Sequence, residues 1–312
     1  MTATDPRELS HGPSAEMGHL NHGLSSASDT MLAELAGRLW VRTDERICRR
    51  YSGDQSDLGP EVAPAAVVEP ISAAEVSTAL DWASRHRVPV SVRGGGTGLS
   101  GGALGCPGGL VISTTRLTGL QIDSENLIAT AGAGVVTADL DATAAAYGLR
   151  YAPDPLSAER STIGGNIATN AGGPRGLSQG VTADAVLALQ VVLADGRIIR
   201  TGSSTGRNST GCHLTGLFVG SEGTLGVVTE AVVRLAPRPV EAPIVFGAAF
   251  LEPLEAGRAI VAIRNRCRVG GFNWSSQHLD FGGVQGWRRR TGVGRLEMRR
   301  RGFAGSGVLI GR

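Results

Sequence analysis

Apolar residues recur at intervals of three to four positions in two parts of the chain, and this period predicts two helices. The first begins after Ser72, because Ser72-Ala-Ala-Glu75 has the sequence of a capping box, and it continues to about His86. The second covers residues 137–147 and ends at Gly148, since glycine commonly follows the last turn of a helix.

Short apolar runs lie around these helices, and each has the length of a buried strand. The runs cover residues 88–92, 109–114, 127–131, 185–193, 197–201 and 225–235. The sequence Asp195-Gly196 joins two of them as a hairpin turn. Helices and strands are mixed without a regular strand–helix–strand succession, so the predicted fold class is α+β.

The two ends of the chain lack this patterning. Residues 1–30 are polar and rich in serine, histidine and glycine, and we predict that they are disordered. Residues 264–312 have no clear period and carry 11 arginines against two acidic residues. A basic binding tail is one interpretation. A shifted reading frame in a GC-rich gene would also produce arginine and glycine in bulk, and we favour this second interpretation, in which the tail is non-native or disordered.

Composition excludes several classes of protein. The chain is 41% hydrophobic and 19% charged, as a globular protein is, but it has 46 glycines. Residues 1–263 carry 19 arginines against 26 acidic residues, so nothing in the main body indicates nucleic-acid binding. No apolar run has the length of a membrane span, and we find no signal peptide. The four cysteines show no disulfide or metal spacing. We predict a cytoplasmic protein, with peripheral attachment to a membrane left open.

A first glycine-rich motif, RGGGTGLSGG, covers Arg93 to Gly102 directly after a predicted strand. Glycines at this density allow backbone N–H groups to converge on a phosphate, because no Cβ blocks the approach. The motif contains GxGxxG, which in a dinucleotide-binding fold must open a helix. Here Ala-Leu-Gly-Cys-Pro-Gly-Gly follows and cannot start a helix, so the sequence argues against an NAD site.

Two further motifs have the same character. Thr162-Ile-Gly-Gly-Asn166 is followed closely by Asn170-Ala-Gly-Gly, and the asparagine amides could hydrogen-bond a ring edge or a ribose. Gly220-Ser-Glu-Gly-Thr-Leu-Gly226 forms a third tight loop before a strand. One such loop could be an ordinary turn. Three in one domain, each with polar groups, predict a large ligand that carries phosphate.

These motifs, together with Pro153-Asp154-Pro155, occur in the order found in one flavoprotein family. Over about residues 35–239 the chain resembles the PCMH-type FAD-binding domain of the vanillyl-alcohol-oxidase-type flavoproteins. Within that family it resembles most the branch that contains D-lactate dehydrogenase and the flavin-binding subunit of glycolate oxidase. Tyr51 and Asp54 fit the same pattern upstream of the first glycine motif.

This resemblance implies a two-lobed FAD-binding domain over residues 31–239, with lobes of about 31–115 and 116–239 and FAD extended between them. Covalent members of the family often carry a histidine in the first loop; this chain has none there, so we expect non-covalent FAD. The residues that the resemblance assigns to the cofactor are Arg93, Gly94, Gly95, Gly96, Thr97, Gly98, Ser100 and Gly101 at the diphosphate; Pro153, Asp154, Thr162, Gly164, Gly165, Asn166, Asn170 and Gly172 at the flavin and ribityl chain; and Glu222, Gly226 and Val228 at the adenosine end.

Some positions depart from the family pattern. Ser178 and Gln179 stand where a Lys-Tyr pair is usual, and Arg207 replaces a common lysine. Cys212 and His213 interrupt a usual Gly-Tyr-Asp-Leu sequence. For His213 we favour a structural role over that of a catalytic base, because no partner that would tune it is evident.

The resemblance also implies a reaction, in which FAD accepts a hydride at N5 from a D-2-hydroxy acid such as D-lactate or glycolate. In this branch the catalytic groups and a histidine-rich metal site lie in a C-terminal cap domain. We expect residues 240–263 to begin a truncated cap, and only His278 follows, so catalytic residues stay unknown and no metal site is assigned.

Three interpretations of this function remain open. The first is an incompletely encoded FAD-dependent dehydrogenase of D-2-hydroxy acids, whose electron acceptor could be a quinone, a cytochrome or another subunit. The second is a flavin-binding module or remnant without independent activity. The third is another enzyme of the superfamily, such as a relative of alkylglycerone-phosphate synthase.

Overall fold

The structure is a computed structural model that describes residues 27–56, 58, 63–205, 209, 211–240, 246–248, 252–264, 268–274, 279–285 and 310–311. Most of the predicted disordered N-terminus (residues 1–26), Arg207, His278 and most of the tail lie outside these residues. The described part contains two mixed layers of helix and sheet, and the α+β fold class is confirmed.

The first sheet is built from the N-terminal third of the described chain. Its strands are β1 (Val41–Arg42), β2 (Ala66–Val68), β3 (Val90–Arg93) and β4 (Leu110–Ser113), in the order β1-β2-β4-β3. β4 pairs in parallel with β2 and β3, whereas β1 is antiparallel to β2. Helices α1 (Asp29–Ala36), α2 (Glu45–Arg49) and α3 (Ala73–His86) accompany it.

Helix α3 forms as its sequence predicts. Ser72 Oγ accepts from Glu75 N at 3.2 Å and so caps the first turn, and the Glu75 carboxylate accepts from Ile71 N at 2.9 Å, one residue before the cap. Val76, Leu80 and Trp82 are buried on the face that packs against the sheets. The helix ends with Arg87 in the left-handed region, at φ 55°.

The second sheet is antiparallel. Its strands are β5 (Leu120–Asp123), β6 (Ile128–Gly132), β7 (Leu149–Tyr151), β8 (Val186–Val192), β9 (Ile198–Gly202) and β10 (Val227–Pro237), in the order β5-β6-β10-β8-β9, with β7 pairing to the far end of β10. The predicted hairpin is confirmed as β8 and β9, with Gly196 at φ 82° in the turn. Val192 and Val227 of this sheet belong to the same buried cluster as Val76 and Leu110 of the first. The two sheets therefore share core.

Four short helices and one longer one connect and cover the second sheet. They are α4 (Thr137–Ala145), α5 (Ile163–Thr169), α6 (Gly176–Gln179), α7 (Thr182–Ala185) and α8 (Thr215–Phe218). Helix α4 matches the helix predicted over residues 137–147. The sequence pattern does not predict helix α5, because its sequence is the second glycine motif, which is typical of a loop.

Beyond β10 the structure gives backbone elements that the sequence pattern does not indicate. These are β11 (Phe246–Ala248), α9 (Pro253–Arg264), β12 (Arg268–Trp274), β13 (Leu279–Gln285) and β14 (Ile310–Gly311), and the strands pair in the order β12-β13-β11-β14. The domain bounds given above, including the non-native character of residues 264–312, stay predictions.

Candidate functional site

One cavity of about 890 Å³ dominates the described surface, and all three glycine motifs contribute to its lining. It opens where the loop after β3, the start of α5 and the loop before β10 meet. A volume of this size is in the upper range of small-molecule and cofactor sites. The topology therefore brings together three segments that are separated by up to about 130 residues in sequence.

Among the described residues, the loop after β3 pairs carbonyl groups with the protein and leaves its N–H groups without protein acceptors. Within the described residues, none of the nine N–H groups from Gly94 to Gly102 donates to a protein acceptor. Carbonyl groups along the same stretch are paired instead: Gly98 O accepts from Gln55 N at 3.1 Å, and Gly101 O accepts from Leu104 N at 3.2 Å. Gly96 is buried and has φ 64°, a conformation that glycine adopts at little cost. Consecutive N–H groups exposed in this way form a concave anion-binding surface.

The second motif forms the N-terminal half of α5 rather than a loop. Thr162 caps the helix, with its Oγ1 accepting from Gly165 N at 3.3 Å. Ile163 N and Gly164 N donate to the backbone carbonyls of Val135 and Ala133, at 2.9 and 2.8 Å. The first N–H groups of α5 therefore already have protein acceptors. The free donors that face the cavity belong mainly to the loop after β3.

Some glycines at the cavity are required by close packing of protein on protein. A Cβ at Gly95 would lie 2.1 Å from Arg160 O, and one at Gly164 would lie 2.6 Å from the Cβ of Ala133. Gly165 and Gly98 differ, because an added Cβ would meet only Thr162 Oγ1 at 3.3 Å and Asp54 Oδ2 at 3.8 Å, respectively. These two glycines leave room in the protein itself.

The third motif is a strained turn that enters β10. Glu222 has φ 50°, Gly223 φ 78° and Gly226 φ 156°. Glu222 N donates to Ala168 O at 2.8 Å, which fastens the turn to α5. The Glu222 carboxylate lies against Gly102, where an added Cβ would come within 2.5 Å of Oε2. The first and third motifs are therefore in direct contact.

Fifteen of the nineteen residues predicted from the sequence line this cavity. They are Gly94, Gly95, Gly96, Thr97, Gly98, Ser100, Thr162, Gly164, Gly165, Asn166, Asn170, Gly172, Glu222, Gly226 and Val228. Arg93, Gly101, Pro153 and Asp154 do not line it. Asp154 instead binds Arg175 through an ion pair of 2.5 Å, which ties the segment before α6 to the segment after β7.

The two asparagines of the second motif are used differently from the prediction. Asn166 Nδ2 donates to Thr137 Oγ1 at 2.5 Å, and Asn170 Oδ1 accepts from Ala183 N at 2.9 Å. Asn170 also ends α5 at φ 49°. Both amides therefore hold protein elements together, and only their remaining polar atoms could reach a ligand.

The cavity also includes residues that the sequence analysis does not assign to the cofactor. They are Gln55, Val92, Leu99, Gly102, Ala103, Thr114, Pro155, Leu156, Ser157, Glu159, Arg160, Ala168, Thr169, Ala171, Gly173, Pro174, Ser221, Gly223 and Val227. Many of them adjoin a motif, so widening each motif by a few residues would have found them. Gln55 could not be found in this way, because it lies far away in sequence.

The ionisable groups of the lining are few. They are Glu159, Arg160 and Glu222, and all three are exposed. Within the part of the chain that is described, no group of three or more His, Cys, Asp or Glu side chains could hold a metal ion. Burial raises the pKa of the Cys48 and Cys106 thiols, and neither lines the cavity. His213 is exposed, packs against Gly216 and does not line the cavity either.

Comparison with known proteins identifies this region. Residues 64–202 match the family of FAD binding domains. The chain is 52% identical over 177 residues to glycolate oxidase subunit GlcD of Bacillus subtilis, and 50% identical over 184 residues to D-lactate dehydrogenase of Archaeoglobus fulgidus. These matches cover 56% and 57% of this chain, but only 38% and 41% of those relatives.

A solved structure shows the same fold. The alkyldihydroxyacetonephosphate synthase structure superimposes with a TM-score of 0.66 at 24% identity, over 81% of this chain and 48% of that protein. No helix among the described residues has the length and apolar character that crossing a membrane requires. Residues 64–202 thus resemble FAD binding domains, and the chain spans less than half the length of the curated relatives named above.

Gly165→Ala separates the stability of this domain from its affinity for FAD. The methyl group enters the first turn of α5, where alanine stabilises a helix by about 0.5–1 kcal/mol relative to glycine. The same methyl is added at a residue that lines the cavity, 3.3 Å from Thr162 Oγ1, so we expect FAD affinity to fall about tenfold or more. Urea unfolding without flavin and fluorescence titration with FAD measure the two effects.

Gly119→Ala is the matched control, because its Cβ would meet nothing within 4 Å and it does not line the cavity. Unchanged FAD affinity in Gly165→Ala would remove this glycine from the site.

Proposed function

Because residues 64–202 match the family of FAD binding domains, we propose that the chain holds FAD non-covalently in the described cavity and supplies the cofactor-binding part of an oxidoreductase of D-2-hydroxy acids. The observation that carries the cofactor assignment is the run of nine N–H groups without protein acceptors. The substrate class follows from the relatives, which are a glycolate oxidase subunit and a D-lactate dehydrogenase.

The residues present fit a dinucleotide that carries a diphosphate. Buried or half-buried N–H groups without partners are costly, and a phosphate oxygen is an acceptor that removes this cost. The lining has no histidine or cysteine that could attach the flavin covalently. Gly165 and Gly98 leave space that a Cβ would fill. These observations support FAD over a smaller or a covalently bound ligand.

We assign the parts of the cofactor to the three motifs as the family resemblance suggests. The amides of residues 94–100 hold the diphosphate, the residues around α5 face the flavin and the ribityl chain, and Glu222, Gly226 and Val228 face the adenosine end. Arg93, Gly101, Pro153 and Asp154 act only indirectly in this assignment, because they do not line the cavity.

The chemistry requires more groups than the described lining offers. Bound FAD supplies a hydride acceptor at N5. The protein must orient the hydroxy acid, bind its carboxylate and take the hydroxyl proton. Glu159, Arg160 and Glu222 are the ionisable groups of the described lining, all three are exposed, and the described lining has no histidine. We therefore assign no catalytic residue within the described chain, and the electron acceptor and the cytoplasmic location stay predictions.

A second candidate function follows from this scarcity of groups. The chain could be a flavin-binding module whose activity depends on residues outside those described. Positioning of a substrate can contribute about 7–11 kcal/mol, and a general base another 10²–10⁴-fold in rate. A cavity that binds the cofactor but lacks both contributions would hold FAD without turning over an acid.

The cofactor assignment predicts binding of FAD in preference to FMN or NAD. We expect the flavin fluorescence to be quenched on binding. The dissociation constant of FAD should be at least tenfold below that of FMN, because FMN lacks the diphosphate. Acid precipitation should release all flavin into the supernatant. Titration of the purified apoprotein with each ligand measures the preference. Flavin that stays with the precipitate, or equal affinity for FAD and FMN, would contradict the assignment.

The substrate class predicts a phenotype in the source organism. Deletion of the gene should lower dye-linked oxidation of D-lactate or glycolate in cell extracts and leave L-lactate oxidation unchanged. The wild-type gene should restore the activity, and the Gly165→Ala gene should restore less of it. Extracts that oxidise every D-2-hydroxy acid at the parental rate would contradict the proposed substrate class.

Anaerobic mixing tests whether the chain contains its own catalytic groups. We expect the FAD-loaded chain not to bleach with D-lactate, glycolate or D-2-hydroxyglutarate above the rate seen with L-lactate, because the described cavity lacks a carboxylate clamp and a buried base. Chemical reduction with dithionite provides the fully bleached reference. Selective bleaching by a D-acid would show that the chain contains its own catalytic groups, and would reject the module.

A further inference from the structure

The side chain of Arg93 turns away from the cavity and runs beneath the glycine loop that follows it. Its Nη1 donates to Gly53 O at 2.5 Å and to Ala103 O at 3.0 Å. The guanidinium lies directly under Gly96, where an added Cβ would come within 2.2 Å of Nη2. The residue thus contacts the middle and the end of the loop together with the segment that lies below it.

The contacts beneath the loop involve mostly carbonyl oxygens. The Arg93 guanidinium donates to Ala103 O, Gln55 N donates to Gly98 O, and Thr114 N donates to Arg93 O. In a tight loop, anchoring carbonyls on one side constrains the adjoining N–H groups to the other. The N–H groups from Gly94 to Gly102 are those without protein acceptors among the described residues. The Thr114 and Gln55 anchors therefore account for the direction of Gly94 N and Leu99 N, and Arg93 fixes the end of the loop at Ala103 O.

Residues 51–56 form the platform for these anchors. Tyr51 places its ring 5.8 Å from the Arg93 guanidinium carbon, and its hydroxyl donates to Glu69 at 2.9 Å. Asp54 Oδ1 accepts from Ser56 N at 2.8 Å, and Oδ2 lies 3.4 Å from Ala103 N. This segment precedes the region matched by the FAD binding family, which begins at residue 64.

Two oppositely charged side chains lie beneath the loop. The lining itself has two carboxylates and one exposed arginine, so it offers no net positive charge. Burial lowers the pKa of Arg93, and the Asp54 carboxylate opposes that effect. Desolvation alone would raise the pKa of Asp54, but hydrogen bonds from Ser56 and Ala103 and the charge of Arg93 hold it below its usual value. The Arg93 guanidinium and the Asp54 carboxylate therefore stabilise each other's charged forms beneath the loop.

We propose that Arg93 is a positioning residue that, with residues 51–56, presets the glycine loop for the FAD diphosphate without touching the cofactor. The proposal rests on the proposed function, since it assumes that the loop binds a diphosphate. A preset loop avoids the ordering cost that a flexible one would meet on binding. Residues 51–56 thereby become part of the cofactor site.

Two variants separate the charge and hydrogen-bond donors of Arg93 from the volume of its side chain. The hydrogen bonds from Arg93 to Gly53 O and Ala103 O both come from Nη1, so a lysine ammonium can replace them. Arginine and lysine are not interchangeable at sites where two nitrogens bind. We expect Arg93→Met to raise the FAD dissociation constant about 10- to 100-fold. We expect Arg93→Lys to recover affinity to within about threefold of wild type. Fluorescence titration of the apoprotein, with circular dichroism to confirm folding, gives both values.

The controls make each outcome decisive. Arg197→Met removes an exposed arginine at the β8–β9 turn, away from the cavity lining, and should leave FAD affinity unchanged. Wild-type affinity in Arg93→Met, or equal losses in the Met and Lys variants, would overturn the proposal. If Arg93→Met does not fold, Asp54→Ala tests the same platform with an expected three- to tenfold loss, and wild-type affinity there would overturn it. Failure of the wild-type chain to bind FAD would instead contradict the proposed function.

Discussion

Backbone N–H groups without protein acceptors are the constraint on which the rest of this structure depends. Residues 94–102 carry nine such groups, and they are costly where water cannot reach them: Gly96 is buried, whereas Leu99, Ser100 and Gly102 are exposed. The loop can expose them only if its carbonyls are held elsewhere and its backbone enters conformations such as φ 64° at Gly96. Three parts of the structure converge around this loop and support it: the parallel strands β3 and β4, the turn before β10, and the segment of residues 51–56.

The same constraint explains why the chain is rich in glycine. Several glycines near the cavity have no space for a side chain because protein backbone lies against them: a Cβ would come within 2.1 Å of Arg160 O at Gly95, 2.1 Å of Leu117 O at Gly132 and 2.4 Å of Thr114 O at Gly134. Others, such as Gly165, have space on the protein side. Glycine therefore serves two purposes here, and only the second kind reports directly on a ligand. This distinction cannot be made from glycine spacing.

Local patterns predict the elements that local physics decides. The Ser72 capping box, the hairpin around Gly196 and the buried strands follow from cap chemistry, turn chemistry and apolar runs, and the structure confirms them. Helix α5 escapes prediction because Gly164 and Gly165 are poor helix formers. Its stability comes from the Thr162 cap and from distant carbonyl acceptors at Ala133 and Val135. The contacts of residues 51–56 escape prediction for a similar reason, since no local signal connects them to a loop about 40 residues later.

The groups that would bind the diphosphate also determine which ligands the cavity can accept. A lining with two carboxylates and one exposed arginine attracts anions weakly at long range, so a diphosphate must be recognised mainly by directed hydrogen bonds. Directed bonds select the geometry of the ligand, whereas a cluster of cations would accept many phosphates. A half-buried arginine below the loop anchors it without offering a second anion contact in the cavity, and the Asp54 carboxylate offsets its charge. On the proposed function, the site thus recognises the diphosphate through neutral donors, and these depend on the carbonyl anchors beneath the loop.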